Sequence, residues 1–137
     1  MNRIKDKIKE IEQYLSYLLD IMPPTVEEYS SDNLIKAACE RYFEKIIEAV
    51  TDLAFLVISK KKFRIPEDDI DAFKILADQK IINQELYPKL KYAKGMRNIM
   101  VHQYGRVDDA LVYEAITEQL ENDVTQFIAE INKNLSL

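Results

Sequence analysis

One histidine, one cysteine, two glycines and no tryptophan stand in a chain of 137 residues, and each scarcity closes off a class of function. Cys39 has no second cysteine to bridge and no Cys/His cluster to join around zinc, so it is expected as a small core residue in a reducing compartment. Glycine is too rare to build a phosphate-cradling loop, which argues against nucleotide hydrolysis by this chain alone. The residues call for no metal and no cofactor. The longest apolar run, Leu53 to Ile58, is far too short to cross a bilayer. Met1-Asn2-Arg3-Ile4-Lys5-Asp6 is too densely charged for a secretory signal, so a cytoplasmic protein with no membrane partner is expected. A net charge of −5 excludes general coating of nucleic acid, which relies on a basic surface. A phosphate partner would have to be met by a local patch.

What the chain does have is helical periodicity. Hydrophobic residues make up 47% and charged residues 31%, a globular balance for one domain spanning residues 1–137. Ile4, Ile8, Ile11, Leu15, Leu18 and Met22 alternate steps of four and three, the seam of an amphipathic helix that Pro23-Pro24 must stop. Ser31-Asp32-Asn33 suits the start of a second helix with Leu34, Ala38, Tyr42, Ile46, Ala49, Leu53 and Leu56 inward, running to about Ser59. Its end, Leu53 to Ile58, is apolar all round and is expected to be the most deeply buried turn. Pro66 suits the first turn of a short third helix, with Glu67, Asp68 and Asp69 at its positive end. Asn83 suits the cap of a fourth, with Leu86, Leu90, Ala93, Arg97, Met100 and Tyr104 along its seam and Gly105 as terminator. Asp108 or Asp109 opens a fifth, burying Val112, Ile116, Leu120, Val124, Phe127, Ile128 and Ile131. No alternation of period two appears. The sum is an all-α, antiparallel up-and-down helical bundle of four long helices and one short one.

The one histidine sits in Arg97-Asn98-Ile99-Met100-Val101-His102-Gln103-Tyr104, beside a permanent cation and a phenol. Arginine fills a core poorly, so Arg97 needs a carboxylate partner, or the seam opens there to a groove or another subunit. Asn98 and His102 are four apart and share a face, which would let the amide orient the imidazole. Arg97 and His102 diverge by about 140° on an ideal helix. By spacing alone, the preferred reading is structural, with Arg97 an ion-pair member and His102 a capping residue near the helix C-terminus. Local charge favours more. Lys89, Lys91, Lys94, Arg97 and Arg106 crowd this segment of an acidic protein, with Lys94 and Arg106 placed as candidate contacts to phosphate. Histidine titrates near neutrality, as general acid–base chemistry requires, and arginine's planar fork suits a phosphate gathering charge.

The octet resembles the R-x-x-x-x-H-x-Y pattern of HEPN-domain proteins, in the HepT-like toxin branch. The likeness extends over Cys39 to Leu53, Phe73 to Ile82, Met96 to Tyr104 and Asp108 to Ile116, with Met96 where a larger aromatic residue is usual. That resemblance implies a homodimer whose two motifs face each other across a cleft, acting on RNA as a metal-independent ribonuclease. Arg97 and His102 would be catalytic, with Asn98 and Tyr104 supporting. It further implies a minimal nucleotidyltransferase (MNT) antitoxin that silences the toxin, with Tyr104 as the residue adenylylated.

Other constellations carry less. Glu40, Glu44, Glu48 and Asp52 recur every fourth residue and read as a solvated face, with Glu48 or Asp52 as an alternative counter-charge for Arg97. The tyrosines lie mostly on helix faces and suit a core edge better than a base-stacking platform. Lys60 to Arg64 reads as a solvated basic connector. Two rival functions remain open: a catalytically silent HEPN module that binds nucleotide or RNA or docks a nucleotidyltransferase, and a helical assembly subunit built on the coiled-coil-like first seam.

Overall fold

The computed structural model describes residues 2–102 and 108–136. Helix α1 (Asn2–Ile21) buries Ile4, Ile8, Ile11, Leu15 and Leu18 along its seam and ends directly before Met22-Pro23, the residue before a proline being disfavoured in a helix. A short α2 (Val26–Ser31) follows, then α3 (Asn33–Lys61), α4 (Asp69–Asp78) and α5 (Leu86–His102). Beyond the undescribed stretch, α6 (Asp109–Glu114) passes through a π-helical segment, Ala115–Leu120, into α7 (Glu121–Asn134). Among the described residues there is no strand. None of these helices is long and apolar enough to cross a membrane.

Helix α3 lies at the centre and touches α1, α2, α4 and α5. Helices α1 and α3 run antiparallel. Lys7 of α1 approaches Asp52 of α3 while Tyr14 and Tyr17, further along α1, meet Tyr42. Along the other side, Asn134 donates to the carbonyl of Ile81, and Phe127 packs edge-on against Phe73 with ring centroids 6.2 Å apart. Because α3 is covered on several sides, its buried surface is a broad band through Cys39, Phe43, Ile46, Ile47, Val50, Leu53, Ala54 and Val57. The expected seam through Leu34 and Leu56 is therefore shifted. Leu34, in the first turn of α3, is 81% exposed. Phe55 likewise reaches solvent, so the turn that is apolar all round is not buried all round.

Three local features depart from the periodic pattern. Helix α2 was not expected, although Thr25 caps it by accepting from the Glu28 amide, the Thr-x-x-Glu arrangement of a helix start. Pro66 precedes α4 rather than opening it. Asp68 is the cap, and Asp71 turns back to hold Arg64 at 2.7 Å and the Glu67 amide at 2.9 Å. These contacts, led by the Arg64 hydrogen bonds, hold the Asp71 carboxyl down at about 2. The π segment also has a cause in the sequence. Val112, Ile116, Leu120 and Val124 step by four, which would drift about 40° per step on a regular α-helix. Widening the turn keeps all of them inside, and all of them are buried.

Two helical segments end on a left-handed lysine rather than glycine: Lys62 at φ 59° after α3, and Lys80 at φ 61° after α4. In the first, the Phe63 amide reaches back to the Ile58 carbonyl and the Lys62 amide to that of Ser59. A side chain in this conformation is strained by roughly 1–2 kcal/mol. Lys62→Gly is expected to raise unfolding stability by about 1 kcal/mol, after allowing for glycine's greater unfolded-state freedom. Urea denaturation reads the shift, and an unchanged or lowered midpoint contradicts it.

Candidate functional site

Helix α5 begins where Asn83 accepts from the Glu85 amide, and Pro88 falls in the first turn, where a missing N–H costs no intrahelical bond. Leu86, Leu90, Met96 and Met100 anchor the helix in the core. Arg97 sits at the edge of that anchored face with its side chain 18% exposed. Its Nη2 donates to Glu48 Oε1 of α3 at 2.6 Å, and its Nη1 donates to Asn98 Oδ1 at 3.3 Å. Its Nε is buried and has no hydrogen-bond partner among the described residues. Glu48 is thus the counter-charge, while Asp52 lies near Lys7 at 3.7 Å. Of the other acids spaced by four along α3, Glu44 pairs with Arg41. Glu40 is half-buried, and desolvation pushes its carboxyl up, with Lys36 opposing and Asp109 adding to the shift.

Lys94 departs from the expectation of a free phosphate contact. It is only 7% exposed, and its Nζ lies 2.8 Å from Asp69 Oδ2 at the start of α4. An ammonium that deep needs a counter-ion, and Asp69 supplies it. No spacing along the chain marks that partner, because the pair forms only when α4 packs against α5. Lys94, Arg97 and Asn98 line one wall of an open depression of about 380 Å³, and Asp68, Asp69 and Ile70 line the other.

His102 is exposed and ends α5. Lys94, Asn98 and His102 follow one another at four-residue intervals, about 6 Å of rise apiece and only about 40° of rotation. They form a ridge of ammonium, amide and imidazole. Asn98 turns its carbonyl to Arg97 instead of orienting His102. The divergence between Arg97 and His102 is narrowed by this reach, since the guanidinium comes round to the amide one turn below the imidazole. Tyr104 and Arg106, and the terminator Gly105, lie outside the described residues.

The other flank of the ridge is apolar but for one lysine. Pro88, Lys91, Tyr92, Gly95, Met96 and Ile99 of α5, with Leu111 of α6, bound a groove of about 490 Å³. Tyr92, Ile99 and Leu111 are 48%, 43% and 49% exposed. Gly95 stands mid-helix where a Cβ would meet nothing within 4 Å, so the chain's own packing does not require a glycine there. Cys39, by contrast, is fully enclosed, and burial pushes its thiol up to about 11, the state of an inert core residue. Among the described residues no group of His, Cys, Asp and Glu is placed to hold a metal ion.

A family model described as "Ribonuclease HepT-like" matches residues 4–131. The chain is 26% identical over 132 residues to the tRNA nuclease HepT of Aphanizomenon flos-aquae, covering 96% of this chain and 89% of that protein. It is 30% identical over 101 residues to the mRNA nuclease HepT of Shewanella oneidensis, covering 74% of this chain and 75% of that one. In structure it is similar to the tri-AMPylated Shewanella oneidensis HEPN toxin in complex with its MNT antitoxin, at TM-score 0.88 and 27% identity over 95% of this chain and 96% of the other. A toxin–antitoxin structure with AMP-PNP superposes at TM-score 0.90 and 26% identity over 97% and 99%. The all-α helical bundle expected from periodicity is the architecture these structures share.

The Lys94–Asp69 pair is asymmetric in depth, with side chains 9% and 44% exposed. Asp69→Ala strands a buried ammonium and is expected to cost about 3 kcal/mol, whereas Lys94→Met leaves only a half-exposed carboxylate and is expected to stay within about 1 kcal/mol of the parent. Denaturant midpoints of the two variants check this. Equal losses would mean that the ammonium is not desolvated.

Proposed function

The chain belongs to the HepT-like ribonuclease family, and on that premise we propose that it is the ribonuclease toxin of a HEPN/MNT toxin–antitoxin pair, cutting RNA without a metal at a cleft between two copies. The observation that carries this reading is the guanidinium of Arg97, clamped at a groove edge beside a ridge that ends in the exposed imidazole of His102. The reaction assigned to these groups is transesterification. The 2′-oxygen attacks phosphorus as its proton passes to one imidazole. The bond to the 5′-oxygen breaks as that oxygen receives a proton from a second imidazole, and a 2′,3′-cyclic phosphate remains. Arg97 stabilises the extra negative charge on the phosphate oxygens in between. One chain has one histidine, so a separate acid and base require two chains.

The apolar groove supports a two-fold arrangement. Pro88, Tyr92, Gly95, Met96 and Ile99 lie along one stripe of α5, and His102 continues it three residues beyond Ile99. Two copies meeting through this stripe would bring their His102 residues to the seam from both sides. A glycine in mid-helix costs about 1 kcal/mol relative to alanine, and at Gly95 it leaves room for the backbone of a second helix to approach closely. Lys94 and Arg106 are assigned to flanking phosphates, Lys94 only once phosphate displaces Asp69. A cytoplasmic setting, an MNT-type nucleotidyltransferase as antitoxin and Tyr104 as its adenylylation target complete the proposal. The relatives crystallised as toxin–antitoxin complexes, one of them AMPylated, support this part.

A silent binding module is favoured by one observation: both cations of the depression are already neutralised, Arg97 by Glu48 and Lys94 by Asp69. Cleavage of RNA in the presence of chelator separates the two. The toxin is expected to leave cyclic phosphate ends, and His102→Ala is expected to stay folded and dimeric while losing about 100-fold or more in rate. Cleavage that needs a divalent cation, or that survives His102→Ala, would remove the assigned mechanism. Tight RNA binding with no turnover by the parent protein would establish the silent module.

A further inference from the structure

We propose that Glu48 is the positioning residue of the ribonuclease site, aiming the Arg97 fork at the phosphate from the neighbouring helix; the inference rests on the catalytic role given to Arg97 above. A guanidinium at the end of a long side chain is aimed by whatever holds its nitrogens. Among the described residues the inner end finds no anchor, since the buried Nε has no acceptor there. The aim depends on the outer end, where Glu48 Oε1 holds Nη2 at 2.6 Å and Asn98 Oδ1 holds Nη1 at 3.3 Å. The shorter, charge-assisted contact dominates. The Asn98 contact comes from the adjacent residue of α5, so it moves with the helix that carries Arg97. Glu48 alone ties the fork to α3, the helix at the centre of the bundle. Its four-spaced neighbours Glu44 and Asp52 are engaged by Arg41 and Lys7.

Among the described residues this arrangement leaves a second N–H on each terminal nitrogen for a ligand, because each carries two and those residues use one. It also sets the sign of the effects. The Glu48 carboxylate opposes a bound phosphate, so it weakens ground-state binding of RNA while fixing the geometry on which the transition state depends. Losing Glu48 is therefore expected to slow turnover without weakening binding. A purely structural ion pair would produce no such split.

The test compares Glu48→Ala, Glu48→Gln and Glu48→Asp with the parent protein on one RNA, under steady-state conditions, with thermal melts in parallel. Gln keeps a carbonyl oxygen at the same reach, so it is expected to retain kcat within about 3-fold and to lower KM. Asp keeps the charge but falls one methylene short, and is expected to lose about 10-fold in kcat. Ala is expected to lose about 10–100-fold in kcat with KM unchanged or lower. Wild-type kcat in Glu48→Asp together with a fall in Glu48→Gln would assign the effect to charge and overturn positioning. Wild-type kcat in all three variants would overturn it too. If Glu48→Ala does not fold, the Gln and Asp variants decide alone. A parent protein that does not cleave RNA removes the catalytic reading and this inference together, whereas an active parent with indifferent Glu48 variants removes only this inference.

Discussion

A guanidinium set into a helical seam has to be neutralised, and Glu48 of α3 does this for Arg97 of α5. Much of the functional end of the molecule follows from that one bond. It fixes where along α3 the helix carrying the octet sits. It keeps the fork at the surface of the bundle instead of letting it drift into solvent. His102, five residues on and about 140° round the helix, is exposed. A second ion pair, Lys94 with Asp69, does the same for the approach of α4. Two of the cations concentrated in this segment, Lys94 and Arg97, are therefore engaged inside the fold, while Lys89 and Lys91 stay exposed. Beside them a ligand would meet the outer edge of the Arg97 guanidinium, the His102 imidazole and the Asn98 amide between them.

The chemistry and the surface of α5 are linked by helical geometry. One flank of the His102 ridge is the polar depression that holds Arg97, and the other is the apolar groove of Tyr92, Gly95, Met96, Ile99 and Leu111. Neither flank alone contains two imidazoles. A cleft formed where two such grooves meet would contain them and would be lined on its polar side by two held guanidinium groups. Membership of the HepT-like ribonuclease family is consistent with the proposal that α5, besides its core face, would turn one face to phosphate and one to a second copy.

Where a helix packs on one side only, its sequence was sufficient. The seams of α1 and of the α6–α7 rod were legible residue by residue from Ile4 to Leu18 and from Val112 to Ile131, because one face is apolar and the opposite face charged. Helix α3 was less legible. It is wrapped by several neighbours, so its apolar positions spread round the cylinder and no single stripe marks the true centre at Phe43, Val50 and Leu53. Helix α2 is too short for periodicity to register, although its Thr25–Glu28 cap was there to be read. The π segment was visible only as a run of four-residue steps. At the site, Arg97's need for a carboxylate followed from its place in the seam, and Glu48 was one of two acids within reach. Asp69 was not legible, because it meets Lys94 only through the docking of α4. The reach of Arg97 round to Asn98 is a side-chain conformation, and a helical wheel reports only where the backbone points.

The central claim is that one protomer, with Arg97 and His102 on different faces of the same helix, holds an incomplete centre that a second protomer finishes across the apolar groove. Ile99→Arg tests it most directly, because it places a charge in the groove and leaves every residue assigned to chemistry untouched. Sedimentation, circular dichroism and RNA cleavage would be measured on the same sample. A dimeric parent and a folded, monomeric variant at least about 100-fold slower is the expected result. A monomer that cleaves RNA at the parental rate, or a variant that remains dimeric through this charge, would contradict the account.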